Sequence, residues 1–429
     1  MNMQRIILAV MLAVSASAGE VRELSLKEVI ALAATDSPEV AMARLEEGKA
    51  AEAVSVARDP FRPKLAAGSG LAYSNGMPMS VGGATPSIMQ AQATQYLFNR
   101  PQSYLVSEAR ENARGAAIAT AVKREEAVLR AALAYLDAER ARRQAEAARK
   151  RVERLERIAD LIRVRVEEGR ELPLEEHRAR LSLARARQAL EELEAQRDYA
   201  ETTLAVVLGL DASQRVQARS EERSVAALPT SEDDAVNAAI SSSPQLRRLE
   251  SALKAAGYEI QAHKASRLPQ VDLIAQYALL GRFNNYEDFF RKFQRHNTQI
   301  GISFQIPLFT GPAARARQFQ AESEAARLRI ELQTARNNLA LEVRRLWRQA
   351  KLAETAREVA RLDLEVAREQ VSLLLAQMEE GRVGLKQVEE ARLAEDEKWL
   401  AFIESHYALE RAQLNLLHHT SGLLAALVD

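Results

Sequence analysis

The side chains best suited to move a proton near neutral pH are six histidines: His177, His263, His296, His406, His418 and His419. They are scattered along 429 residues, and the one adjacent pair, His418-His419, falls in a helical pattern where neighbours project about 100° apart. That is a poor chelating geometry. The chain has no cysteine, which excludes disulfides, thiolate metal sites, cysteine nucleophiles and a lipid-modified N-terminal cysteine. Neither a P-loop nor a dinucleotide-binding glycine pattern is present. Carboxylates are plentiful, but 59 acidic residues face 59 basic ones, the balance of solvated helix faces. A net charge of zero provides no general field for nucleic acid or an anionic surface. No catalytic residue, metal or cofactor is expected, and the chain is not expected to be an enzyme. Energy for any transport would have to come from a partner.

The informative chemistry is apolar. QIGISFQIPLFTGP (299–312) puts Ile300, Ile302, Phe304, Ile306 and Leu308 on one side of a strand, opposite Gln299, Gly301, Ser303, Gln305 and Pro307. Segment 270–280 alternates likewise, with Val271, Leu273, Ala275, Tyr277 and Leu279 on one side, although Ile274 breaks the polar side. In 87–98, Met89, Ala91 and Ala93 face away from Gln90, Gln92 and Thr94, and 65–74 is a weaker fourth strand. Each is about 10–12 residues, the length a tilted strand needs to cross a bilayer.

Everything around the strands reads as helix. Only 17 Gly and 12 Pro punctuate the chain, and the order is written twice. Pro38 and Pro63 of the first copy correspond to Pro244 and Pro269 of the second; YLFNRP (96–101) matches PLFTGP (307–312), and VEEGRELPLEEHRARL (166–181) matches MEEGRVGLKQVEEARL (378–393). Each copy predicts a helix (26–58, 232–266), two strands (65–74 and 87–98; 270–280 and 298–309), a very long helix (102–168, 313–380), a Gly-marked turn and a return helix (174–208, 386–420). A 68-residue helix is on the order of 100 Å long, too long for the interior of a compact domain. Its apolar positions step by three or four in a coiled-coil manner, interrupted at Glu342.

The implied order is a signal peptide (1–18, with Arg5, an apolar run Ile6–Val14 and Ala16-Ser17-Ala18), a short helix (19–64), a barrel hairpin (65–98), a helical hairpin (99–209) and a linker (210–231). A second short helix (232–268), barrel hairpin (269–309) and helical hairpin (310–423) follow, with a tail (424–429). No other window is apolar enough for a transmembrane helix, so entry into a membrane would be by strands. A half-buried soluble sheet would alternate in the same way. What favours lipid is that the neighbouring helices are rods with seams of their own, leaving none to cover the sheet. Four strands leave two open edges, and unpaired backbone in hydrocarbon costs several kcal/mol per group. Several copies would have to share one wall: two give eight strands, three give twelve. The inter-strand segment 281–297 carries Phe283, Tyr286, Phe289, Phe290 and Phe293, suited to an interfacial girdle, an extracellular cap or a plain surface loop.

The signal sequence, the duplicated unit, the QIPLFTGP strand end and the EEGR turns together resemble the TolC family of outer-membrane efflux channels, over about residues 24–423. The resemblance implies a mainly α fold with a membrane β-barrel contribution: a homotrimer sharing a 12-stranded barrel continued by an α-helical periplasmic tunnel. It also implies a passive exit duct in the outer membrane of a Gram-negative-type bacterium, serving a tripartite efflux or type I secretion system. Its partners would be a periplasmic adaptor and an inner-membrane pump, with outer-membrane lipid around Val271, Leu273, Tyr277, Leu279, Ile300, Ile302, Phe304, Ile306 and Leu308. The family's gate positions fall on Glu175, Arg178, Gln387 and Glu390, where only Glu390 keeps an acidic residue at the second hairpin's pair, so an aspartate-type constriction is not carried over. Adaptor docking would fall on the turns, Gly169, Arg170, Leu172 and Pro173 in the first and Gly381, Arg382, Val383, Gly384 and Leu385 in the second. The rival reading is a secreted coiled-coil scaffold with a small soluble sheet; a periplasmic adaptor fits less well, because two complete helix–strand units are present.

Overall fold

A computed structural model describes residues 22–69, 87–211, 213–221, 229–280, 294–309, 311–380, 382–420 and 423. The signal peptide, residues 70–74 of the expected first strand, the loop 74–86, the five aromatics of 281–293, Gly381 and the tail 424–429 lie outside the described residues.

The elements follow the repeat. The first copy runs β1 (Arg22–Leu24), α1 (Leu26–Asp36), α2 (Pro38–Arg58), β2 (Lys64–Gly68), β3 (Ser87–Phe98), α3 (Arg100–Glu167) and α4 (Pro173–Val207). The second runs β4 (Val216–Ala218), α5 (Glu232–Ser242), α6 (Pro244–Ala265), β5 (Gln270–Leu280), β6 (His296–Gln305), α7 (Gly311–Glu379) and α8 (Leu385–Thr420). The long helices are 68 and 69 residues and the return helices 35 and 36, so the duplication is kept to one residue over each pair.

Three details differ from the expected elements. Each single short helix is two, because Ser37 and Ser243 precede a proline and take extended ψ values of 132° and 113°, where the α region is crowded by the proline ring. Strand β6 ends at Gln305 rather than 309; Pro307 has no N–H to offer a ladder. Part of the linker forms a strand: Val216–Ala218 pairs in parallel with Arg22–Leu24, two strands too short to leave a periodic signal.

The chain forms two compact units. One takes Met1–Ala43, Ala121–Ser243 and Arg336–Asp429, the other Arg44–Thr120 and Pro244–Ala335. In the first, α1 is capped by Ser25 and Glu28 in a reciprocal box and buries Leu26, Val29, Ile30, Ala33 and Ala34, one helical face. That face meets Val128, Ala131 and Tyr135 of α3, Leu204 of α4 and Leu208 just after it, and Tyr407 and Leu417 of α8. A second cluster repeats the design with Ala235, Val236 and Ala239 of α5 against Val343, Leu346 and Ala350 of α7. The linker is held by one face of α3: the Tyr135 hydroxyl donates to the Arg219 carbonyl at 2.5 Å, and buried Glu139 accepts from Ser220 at 3.1 Å and from Arg143 at 2.8 Å.

Ion pairs between long helices give their order in this unit. Arg149–Glu194 (2.6 Å) and Arg187–Glu156 (2.7 Å) join α3 to α4; Arg140–Glu404 (3.3 Å) and Arg154–Asp396 join α3 to α8; Lys398–Asp363 (2.7 Å) and Arg368–Glu395 (3.6 Å) join α8 to α7. The four helices therefore lie side by side as α4-α3-α8-α7.

The second unit carries the four-stranded sheet, ordered β2-β3-β5-β6 and antiparallel throughout. The two hairpins join through β3 and β5. Asn99 caps α3, its side chain accepting from the Gln102 N–H at 3.0 Å, and Gln102 in turn donates to the Ala57 carbonyl at 2.7 Å. Gln95 donates to the Phe61 carbonyl at 2.9 Å, and Phe61 packs edge-on against Tyr96 at 6.1 Å. These contacts fix where the strands leave the helices.

Candidate functional site

The sheet sorts its side chains by face. Register aligns Val271 with Phe304, Leu273 with Ile302, Ala275 with Ile300 and Ala93, Ala93 with Leu65, and Ala91 with Ala67 and Tyr277. Alternation carries one set to a single side, with Met89 and Leu279 beside it. The other side holds Gln92, Thr94, Gln276, Gln299 and Ser303. The apolar face is bare: Ile300 is 76% exposed, Ile302 67% and Phe304 63%. Val271, Leu273, Tyr277 and Leu279 are half-buried by their neighbours on the same face. Ile306 and Leu308 are exposed too, but lie past the last paired residue. Strands β2 and β6 each leave one edge unpaired within the chain. An exposed apolar face and two open edges, on a sheet whose polar side is equally ordered, suit a wall between lipid and water.

The two turns are built alike. At the end of α3, Gly169 takes φ 70°, the Arg170 N–H donates to the Arg165 carbonyl at 2.8 Å, and Gly169 N–H to the Val166 carbonyl at 3.0 Å, a Schellman closure. At the end of α7 the Arg382 N–H donates to the Gln377 carbonyl at 2.8 Å, the same six-residue closure. The arginine after each turn pairs back with a glutamate before it: Arg170–Glu168 and Arg382–Glu380, both at 3.1 Å. Leu172 and Pro173 begin α4 in the open; Val383 is half-buried and Gly384 exposed. Of the four residues expected at a gate, Arg178 and Glu175 meet at 2.6 Å within α4, while Gln387 and Glu390 are exposed on α8.

The outer helix α7 carries an exposed apolar stripe that sequence inspection for buried seams overlooks. Phe319, Ile330, Leu341 and Leu352 are spaced by 11, then Leu352, Val359, Val366 and Leu373 by 7. Eleven residues overshoot three turns by about 20° and seven undershoot two by the same amount. The stripe therefore drifts one way and back, keeping to one side of the helix. On α4, at the opposite edge of the helical array, Leu174, Leu181, Tyr199 and Val206 are exposed.

Several groups with displaced pKa values are buried or half-buried ones. Burial pushes the Glu201 carboxyl up, and burial with repulsion from Glu259 does the same to Glu108. Burial also works against ionisation of Asp198, yet hydrogen bonds from Arg197 and Arg215 hold it below its ordinary value. His418 and His419 stack edge-on at 5.0 Å, both pushed down by burial. Among the described residues no three acidic or histidine side chains gather as metal ligands, and no helix is long and apolar enough to cross a membrane.

Residues 29–210 and 235–420 match the family described as outer membrane efflux protein. The chain belongs to this family. The two matched stretches are the two copies of the repeat, and the family is one of transport proteins rather than enzymes. Among curated relatives, the outer membrane efflux protein BepC of Brucella suis biovar 1 (strain 1330) is 23% identical over 312 residues, which cover 71% of this chain and 65% of BepC, just under two thirds. Among solved structures, CusC superposes with a TM-score of 0.75 at 17% identity, covering 92% of both chains. The CmeC outer membrane channel of Campylobacter jejuni gives 0.76 at 14% identity, covering 92% of this chain and 85% of that one. At these identities the structural likeness speaks for the fold alone.

Proposed function

We propose that this chain is one subunit of an outer-membrane channel-tunnel, the passive exit duct of a tripartite efflux or type I secretion system. The observation that carries the proposal is the four-stranded sheet with one bare apolar face and both edges open. In water such a sheet is an aggregation surface; in a bilayer its apolar face is solvated by lipid and its edges need partners of the same kind. Three copies joined β6 to β2 make a closed 12-stranded barrel, a homotrimer, and the exposed stripes on α7 and α4 give the helical arrays a matching seam between copies. The helical part forms the periplasmic tunnel. Its turns at Gly169–Pro173 and Gly381–Leu385 dock a periplasmic adaptor that links the duct to an inner-membrane pump, and Glu175, Arg178, Gln387 and Glu390 line the gate.

The absence of cysteine from the sequence makes the test clean. Cysteines placed on the two open edges, Ala66→Cys on β2 and Ser303→Cys on β6, should cross-link copies in isolated outer membranes and yield a trimer as the largest species. A signal-processed chain that washes from membranes as a monomer without detergent overturns the reading in favour of a soluble scaffold.

A further inference from the structure

The polar face of the sheet is poor in charge, in a chain where 28% of residues are charged. Its strands carry one lysine and one aspartate, Lys64 and Asp272, among the described residues. Lys64 is already paired with Asp59 at 2.5 Å. Asp272 sits toward the helical end of the sheet, opposite Tyr96 and Ser303. Four residues farther along β5 the register sets Gln92, Gln276 and Gln299 directly side by side on three consecutive strands. All three are exposed. With about 4.8 Å between strands, three amides stand within about 10 Å of one another. Each offers two donors and an acceptor with no net charge. The neighbours on the same face include Gly301 and Ala278, too small to screen them.

We propose that this amide strip is a charge-neutral lining of the duct: it gives this stretch of the wall no preference for the sign of a passing solute's charge. The inference rests on the duct reading above, since it needs this face to line the pore. In a closed barrel the strands are staggered, so three copies place the strips as slanting bands on the wall rather than as a level ring. At about 0.15 M salt a wall charge acts over about 8 Å; an uncharged amide wall exerts no such pull and leaves any bias to the charged helices.

The full-length chain in planar bilayers under a KCl gradient tests this. Gln92→Glu/Gln276→Glu/Gln299→Glu should raise the potassium-to-chloride permeability ratio several-fold, and the matching lysine variant should move the reversal potential the opposite way. The methionine variant, similar in size and uncharged, should leave it unchanged. If a triple variant fails to assemble, Gln276→Glu and Gln276→Lys carry the same comparison. Pores whose reversal potential ignores the charged variants, or shifts with methionine, overturn the inference alone. A wild-type chain that forms no pores overturns the duct reading and the inference together.

Discussion

Tyr135 and Trp347 stand 212 positions apart, the same offset that separates Gly169 from Gly381, and they do the same work in the two copies of the repeat. Each reaches from a long helix to a main-chain carbonyl of the connecting segment: the Tyr135 hydroxyl to Arg219 at 2.5 Å, the Trp347 indole N–H to Pro229 at 3.3 Å. An aromatic ring supplies buried area and a single polar handle, enough to hold an irregular segment against a helix without further strands. Tyr135→Phe should cost about 0.5–1.5 kcal/mol, the net value of one hydrogen bond. Tyr135→Ala should cost about 3–5 kcal/mol, because the ring is fully buried. Thermal unfolding of the detergent-solubilised protein reads both.

Two glycines should respond oppositely to alanine. Gly209 has φ 81°, and a Cβ there would lie 3.1 Å from the Asp36 carbonyl oxygen and from the Pro38 ring, so Gly209→Ala should destabilise by about 1–3 kcal/mol. Gly48 lies inside α2 with nothing near the same position. Gly48→Ala should stabilise by about 0.5–1 kcal/mol, as in an ordinary helix interior. Paired melting curves decide it.

Ile302 and Gln299 belong to one strand but opposite faces. On the proposed orientation of the sheet, Ile302→Arg puts a charge toward lipid and should cost about 2–4 kcal/mol near the bilayer midplane, seen as loss of assembled protein from the outer membrane. Gln299→Arg should assemble normally. Equal assembly of the two would reject the assignment of faces.

Acid should loosen the helical unit. Burial holds His418 and His419 below the ordinary histidine value of 6.5, with Glu126 facing the first and Glu342 the second and opposing the shift. As pH falls through about 6.5 the unfolded chain takes up protons that the folded chain refuses, so stability present above that pH is progressively lost below it. The melting temperature should drop between pH 7.5 and 5.5, and the drop should shrink in His418→Gln. A flat profile in the parent protein would contradict it.

The proposed docking turns and the proposed gate should separate by readout. Arg178→Ala removes a surface pair with Glu175 worth at most about 1 kcal/mol, so folding should be intact while single-channel conductance changes. Val383→Asp should leave conductance alone and lower export in cells that carry the adaptor and pump. Unchanged conductance in the first variant, or full export in the second, removes the corresponding role.

Much of this was legible in the chain. The proline and glycine punctuation gave the duplication, and strict alternation from Ile300 to Phe304 gave a strand with one apolar face, because side-chain period is a local property of the backbone. Helix ends at Glu167 and Glu379 were readable within a few residues from the EEGR turns. The segment 210–231 was not: β1 and β4 are three residues each, and their parallel pairing is non-local. Nor was the helix break at Ser37 and Ser243: the following proline marks the repeat, but a proline early in a helical run fits the first turn of a new helix as well as an interruption of one.

By itself, then, the sequence determined the elements, their duplication and the two-faced strands, since periodicity, proline and glycine act within a few residues. Only the tertiary structure decided that β3 pairs with β5, that α4 and α7 flank the helical array, and that Gln92, Gln276 and Gln299 form one row. Those depend on register and on which side chains meet across long stretches of chain, and no spacing along a single strand or helix specifies them.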